Sequence, residues 1–147
     1  MLRCLGALGL AVLLAAPALA DTARATFRVS VTVPASASVR LVGPGDTLLV
    51  SDEDVTLGFV VVPVRCQVTR NTPRGYLLQI APRLGLARQV EVRGLGSGVV
   101  VRDLPVELHR SGVERVEDLA LELRVALEPA VRPGRYPLPV QLSALAL

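Results

Sequence analysis

Between residues 25 and 33 the chain alternates without a fault: Ala25, Phe27, Val29, Val31 and Val33 share one parity, and Thr26, Arg28, Ser30 and Thr32 the other. Side chains of an extended chain point alternately to opposite faces, so this period of two predicts a strand with one apolar face. Pro34 ends it, and a second extended stretch over 37–42 runs to the turn signal Gly43-Pro44-Gly45-Asp46. A short strand is expected over 48–50. Residues 55–69 are the longest β-rich run, and their phase changes midway. Val55, Leu57, Phe59 and Val61 share one parity, whereas Val62, Val64, Cys66 and Val68 share the other. A bulge or a change of partner between Gly58 and Pro63 would reconcile the two.

Beyond the turn at Asn71-Thr72-Pro73-Arg74-Gly75, strands are expected over 76–81, 89–93, 99–102 and 104–109. Gly94, Gly96 and Gly98 join two of them as a hairpin connection; no helical pattern follows, so the spacing is not a dinucleotide fingerprint. Residues 119–127 are rich in helix formers, yet Leu119, Leu121, Leu123, Val125 and Leu127 alternate strictly with Ala120, Glu122, Arg124 and Ala126. Periodicity outweighs propensity, and a strand is expected. A final strand is expected over 136–147, after the turn at Pro129, Pro133 and Gly134. Roughly seven to nine short strands with almost no helix predict an all-β chain, a β-sandwich of immunoglobulin-like type.

The first twenty residues follow other rules. Arg3 precedes an uncharged apolar run over 5–16, and Ala18-Leu19-Ala20 places small residues where a signal peptidase reads. This predicts a signal peptide over 1–20, export through the inner membrane to the periplasm and beyond, and no stable membrane span once it is cleaved. A single domain is then expected over 35–147, preceded by an N-terminal extension over 21–34. Cys4 would be lost with the signal peptide. Cys66 would remain as an unpaired thiol, buried because it shares its parity with Val64 and Val68.

Candidate chemistry is sparse. All sixteen cationic residues are arginine, scattered along the chain, and only two Tyr and two Phe are present, so a nucleic-acid surface of clustered charge and stacking rings is not expected. Asp52-Glu53-Asp54 lacks a partner histidine and is read as a solvated loop in preference to a calcium site. His109, the one histidine, has Glu107 and Ser111 nearby, but on a strand Glu107 and His109 both point to the polar face, away from Val106 and Leu108. No nucleophile elbow or metal-ligand spacing accompanies them. No catalytic residue, metal or cofactor is expected.

Three segments resemble the spore coat protein U-like family of archaic chaperone–usher pilus subunits. They are Ala25-Thr26-Phe27-Arg28-Val29-Ser30-Val31-Thr32-Val33 followed by Ala35-Ser36-Ala37-Ser38-Val39, then Val60-Val61-Val62-Pro63-Val64-Arg65-Cys66 with Gly75-Tyr76-Leu77-Leu78-Gln79-Ile80, and finally Pro133-Gly134-Arg135-Tyr136 leading into Val140-Gln141-Leu142-Ser143-Ala144. The resemblance implies a pilin-like sandwich that is incomplete until a neighbour lends a strand. It implies neighbouring pilus subunits, a periplasmic chaperone and an outer-membrane usher as partners, and a fimbrial cell-surface location. It also implies that 25–33 is the lent strand, with Phe27, Val29, Val31 and Val33 as its inserted side chains. The chain departs from the family in two places. Ala37 stands where the family carries the cysteine that would pair with Cys66, and Pro137 and Pro139 remove donors from the closing strand. The competing expectation is a free-standing periplasmic or secreted β-sandwich that binds a partner through its loops.

Overall fold

The computed structural model describes residues 28–43, 46–83, 85–112 and 114–147. The expected signal peptide, residues 21–27 of the extension, and Phe27 with them, lie outside the described residues. The chain divides into two units, Met1–Thr32 and Val33–Leu147. In the first, residues 28–32 belong to no strand and their side chains are exposed.

The second unit is all-β apart from one short helix. In chain order its elements are β1 (Ala37–Val42), β2 (Thr47–Val50), α1 (Asp52–Leu57), β3 (Phe59–Arg70), β4 (Tyr76–Pro82), β5 (Ala87–Arg93), β6 (Val99–Val101), β7 (Val106–Arg110), β8 (Val116–Leu127), β9 (Gly134–Pro137) and β10 (Val140–Ala146). They form a five-stranded sheet in the order β1-β3-β8-β5-β6, a three-stranded sheet β10-β4-β7, and a two-stranded ribbon β2-β9. All pairings are antiparallel.

The twelve-residue strands β3 and β8 form the spine. The even positions of β3 and the odd positions of β8 turn inward, so Val60, Val64, Cys66 and Val68 stand opposite Val125, Leu121, Leu119 and Glu117. Inward residues of all three sheets then share one core, in which Tyr76, Leu78 and Ile80 of β4 meet Val90 and Val92 of β5, Val50 of β2 and Val140 of β10. Strand formation over 116–127 despite helix-forming residues follows from this: every second side chain is apolar and has a core to enter.

The phase change in 55–69 has a different cause from the bulge expected there. Residues 52–57 are helical, and the β3–β8 ladder runs from Phe59 to Thr69 with no register shift. Ser51 caps the helix: its Oγ accepts from the Asp54 N–H at 3.2 Å, while the Asp54 carboxylate accepts from the Ser51 N–H at 2.9 Å. The Ser51 hydroxyl, donating to the same carboxylate at 2.6 Å, and then the Ser51 N–H hold the Asp54 carboxyl below the usual carboxylate range. Gly58 closes the helix at φ 76°, with its N–H on the carbonyls of Asp54 and Val55. The acidic cluster is thus the first turn of a helix and not a loop, where negative charge opposes the positive end of the backbone dipole. The ladder irregularity lies between Ala87 and Gln89 of β5.

The closing stretch is two strands, not one. Up to Pro137 the chain pairs with β2, and from Val140 it pairs with β4. Pro137 and Pro139 flank the switch, where Leu138 N–H donates to the Asp46 carbonyl and the Pro139 carbonyl accepts from Arg83 N–H. Prolines are tolerated here because the chain is leaving one ladder before it joins the next. Pro63 is accommodated on the same principle, since it lies beyond the β1 ladder, which ends at Arg65.

Candidate functional site

Val29, Val31 and Val33 are 83%, 80% and 72% exposed, three consecutive positions on one parity of an extended chain. Single exposed valines are ordinary on a protein surface; an alternating row on a segment without a ladder is an apolar strand face with no cover. The chain is secured just after this row. Asn71 Nδ2 donates to the Pro34 carbonyl at 2.8 Å, its Oδ1 accepts from Ser36 N–H at 2.7 Å, and its own N–H donates to the Ser36 carbonyl. The Asn71 side chain, in the β3–β4 turn, thus grips the entry to β1.

Among the described residues β1 is laddered to β3 alone and β10 to β4 alone, so each carries an unpaired backbone edge. The two strands lie beside each other without a hydrogen-bonded ladder between them. Val39 and Leu41 of β1 and Leu142 and Ala144 of β10 are only partly buried against the core. Val39, Leu41 and Leu142, with Leu138 and Val140, border a cavity of about 240 Å³ whose wall also carries Asp46, Arg83 and Gln141. An unpaired edge above half-covered apolar side chains is a template for strand addition. The opposite edge of the five-stranded sheet differs: β6 has three residues, and the 460 Å³ recess beside it is walled by the 102–105 connection. Three residues offer too little backbone to hold an added strand.

Cys66 points inward from β3, is 1% exposed and is free. Desolvation, then the charges of Glu117 and Asp118, push its thiol up to about 11, so at neutral pH it is an uncharged, apolar side chain and not a nucleophile. The residue opposite it on β1 is Leu41, whereas Ala37 stands opposite Arg70. The position that the resemblance assigned to a partner cysteine is four residues along the strand, ~13 Å away at ~3.3 Å per residue, and a disulfide spans at most ~7 Å between Cα atoms. A cysteine at Ala37 would not reach Cys66 in this register. Cys66→Ser is expected to cost about 1–3 kcal/mol by burying a hydroxyl, and Cys66→Ala less than that, in paired denaturant melts. Rapid labelling of the native thiol would contradict the packing.

His109 and Glu107 are exposed on the outer face of β7. Glu107 accepts from Gln79 Nε2 at 3.2 Å, and among the described residues no hydrogen bond joins His109 to Glu107 or Ser111.

One polar cluster escaped the sequence reading. At one end of the core Tyr76 and Arg110 are cross-strand partners, and both reach the Glu117 carboxylate, Tyr76 Oη donating at 2.8 Å and Arg110 Nη2 to the other oxygen. Arg70, only 5% exposed, lies with its guanidinium 5.5 Å from the Tyr76 ring centre and donates from Nε to the Glu114 carbonyl at 2.8 Å. Desolvation pushes Glu117 up, but hydrogen bonds from Arg110 and Tyr76 and the charges of Arg110 and Arg70 outweigh it and hold the carboxyl below its ordinary value. Desolvation, reinforced by Glu117, pushes the Tyr76 phenol up to about 12, which keeps it a donor. Each member sits at an inward parity: Arg70 after Cys66 and Val68, Arg110 after Val106 and Leu108, Glu117 before Leu119 and Leu121. Extending each strand by one inward step was the signal that could have found them.

No family model, curated protein or solved structure matches this chain.

Proposed function

We propose that this protein is a structural subunit of a bacterial surface pilus or related envelope assembly, an exported immunoglobulin-like, pilin-like β-sandwich that polymerises by lending residues 25–33 to a neighbour. The observation that carries the reading is the exposed row Val29, Val31 and Val33, which alternates as a strand should and belongs to no ladder. The facing edges of β1 and β10 are the acceptor in this reading, because Val39, Leu41, Leu142 and Ala144 between them are incompletely covered. A lent strand would satisfy both edges and place alternate apolar side chains over that gap. A periplasmic chaperone would hold the same edge before assembly, and an outer-membrane usher would exchange it for the next subunit's segment.

Removal of residues 21–33 tests this. The truncated chain is expected to fold when a synthetic peptide of residues 25–33 or a chaperone is supplied, and to be unable to extend a fibre as donor. Circular dichroism and light scattering read the two effects separately. A truncated chain that stays unfolded with both additions, or a full-length chain that is a stable monomer with this segment locked in its own sheet, would overturn the reading.

A further inference from the structure

Strand β7 ends the three-stranded sheet, and its outer backbone edge is open. Residues 106–110 pair with β4, and among the described residues they make no other backbone hydrogen bond. Side-chain cover is missing on the same flank. Val106, Leu108 and Arg110 point to the core side yet are only partly buried, whereas Tyr76, Leu78 and Ile80 on the adjoining strand are fully buried. With five residues β7 has an ordinary strand length, so this edge, unlike that of β6, can hold another strand. Glu107 is also held in place for a further contact. Gln79 Nε2 donates to one of its carboxylate oxygens at 3.2 Å, and Ser143 Oγ donates to Gln79 at 3.1 Å, so a hydrogen-bonded row crosses β10, β4 and β7 and ends on the carboxylate. Among the described residues its second oxygen has no partner.

The sequence of β7 selects the strand that fits. Two copies related by a two-fold axis would join edge to edge as an antiparallel pair, and opposite residues would lie on the same face of the joined sheet. Opposite residues must then share parity, which places the axis at a residue and not between two. An axis at Glu107 sets two carboxylates against each other and His109 against Pro105, which has no N–H to donate. An axis at His109 sets imidazole against imidazole and Glu107 against Ser111. An axis at Leu108 pairs the strand over its whole length, with Leu108 against itself, Val106 against Arg110, and Glu107 against His109 twice. An imidazole N–H can donate to the second oxygen of Glu107 whether the ring is neutral or charged. We propose that β7 is a self-recognition edge, to which a second copy of this chain adds its own β7 antiparallel about Leu108, joining the two three-stranded sheets into one. Five residues from each copy make a small interface, so a weak dimer is expected, with a dissociation constant on the order of 100 µM. This edge is distinct from those of β1 and β10, and the inference does not rest on strand lending.

Cross-linking reads the register. Glu107→Cys and His109→Cys are made separately in full-length Cys4→Ser chains, whose remaining native thiol, Cys66, is buried. With an added thiol oxidant, a mixture of the two is expected to form a covalent dimer roughly tenfold faster than either variant alone, because opposite positions lie about 4.5–5.5 Å apart between Cα atoms and diagonal ones about 7–8 Å. The mixed dimer also keeps one Glu107–His109 pair intact. A mixture that cross-links no faster than one of the variants alone would overturn the proposal. Sedimentation equilibrium in a chain carrying Val29→Asp and Val31→Asp, which removes strand lending, reads the affinity. In that background His109→Glu is expected to raise the dissociation constant roughly tenfold by setting carboxylates against each other, and Glu107→Lys added to it to restore the original value. Equal dimerisation with and without His109→Glu would overturn the pairing. A chain that dimerises only when Val29 and Val31 are intact would make the lent segment the occupant of this edge, which would also overturn it.

Discussion

Replacing Val29 and Val31 together by aspartate is expected to abolish assembly while leaving the isolated chain as stable as before. In the monomer both side chains are exposed, at 83% and 80%, and surface substitutions of this kind change stability by about 0.5 kcal/mol or less. In an added strand each valine would be covered, a gain of about 1.5–3 kcal/mol apiece, and each aspartate would instead bring a carboxylate to an apolar groove. Loss of the two burials alone amounts to about 3–6 kcal/mol, or roughly two to four orders of magnitude in the association constant. Thr32→Asp, on the other parity, keeps its side chain outward in the inserted strand and is expected to be tolerated. Sedimentation or electron microscopy of fibres reads assembly, and a thermal melt reads the monomer. If the valine pair and Thr32→Asp behave alike, or if the valine pair unfolds the monomer, the alternating face is not what docks.

That asymmetry between parities is also what made most of the fold legible. Where a strand has one face on the core and one in water, the sequence must alternate, and β1, β4, β5, β7 and β8 were expected within a few residues of where they lie. The misses share one feature: a short-range device overrode the period. In 52–57 the apolar spacing of Val55 and Leu57 fits a strand, but the Ser51–Asp54 capping box and Gly58 make a helix of less than two turns, too short to show a helical period. In 136–147 the parity of Leu138, Val140 and Leu142 is continuous across the junction, so alternation could not reveal that Pro137 and Pro139 mark a change of partner. Parity reports which face a residue is on and is silent about which strand lies alongside. The pairing of Leu41, and not Ala37, with Cys66 was beyond it for the same reason.

The polar cluster was missed for the opposite reason: arginine and glutamate at inward positions look like the end of a strand, when they continue its inward face. Glu117→Gln is expected to be the costliest polar substitution in the cluster. It keeps the shape and removes the carboxylate that Arg110 and Tyr76 both donate to and on which the charge of Arg70 also acts, leaving the two guanidinium groups without it. Breaking a fully buried pair costs about 3–5 kcal/mol; with Arg110 and Glu117 side chains about a quarter exposed, a loss of about 2–3 kcal/mol is expected. The pH dependence identifies the group. Glu117 is held below its ordinary carboxylate value in the folded chain, so its contribution is complete above the unfolded value and is lost as pH falls through the folded one. Asp54 and Glu91 are also lowered and titrate in the same acid window, but they are common to both proteins and cancel in the difference. The stability difference between wild type and Glu117→Gln is therefore expected to shrink as pH falls below the ordinary carboxylate range. At the alkaline end Tyr76, pushed up to about 12, contributes stability that is complete below its unfolded value and is lost as pH rises through the folded one. Desolvation is the largest cause of that shift and survives the substitution, whereas the hydrogen bond and charge of Glu117 do not, so the variant should ionise Tyr76 at lower pH. Urea titrations across the acid range and an ultraviolet titration of the phenol measure the two ends. A difference in stability that stays constant through the acid range, together with an unmoved phenol, would mean that Glu117 acts by shape and not by charge.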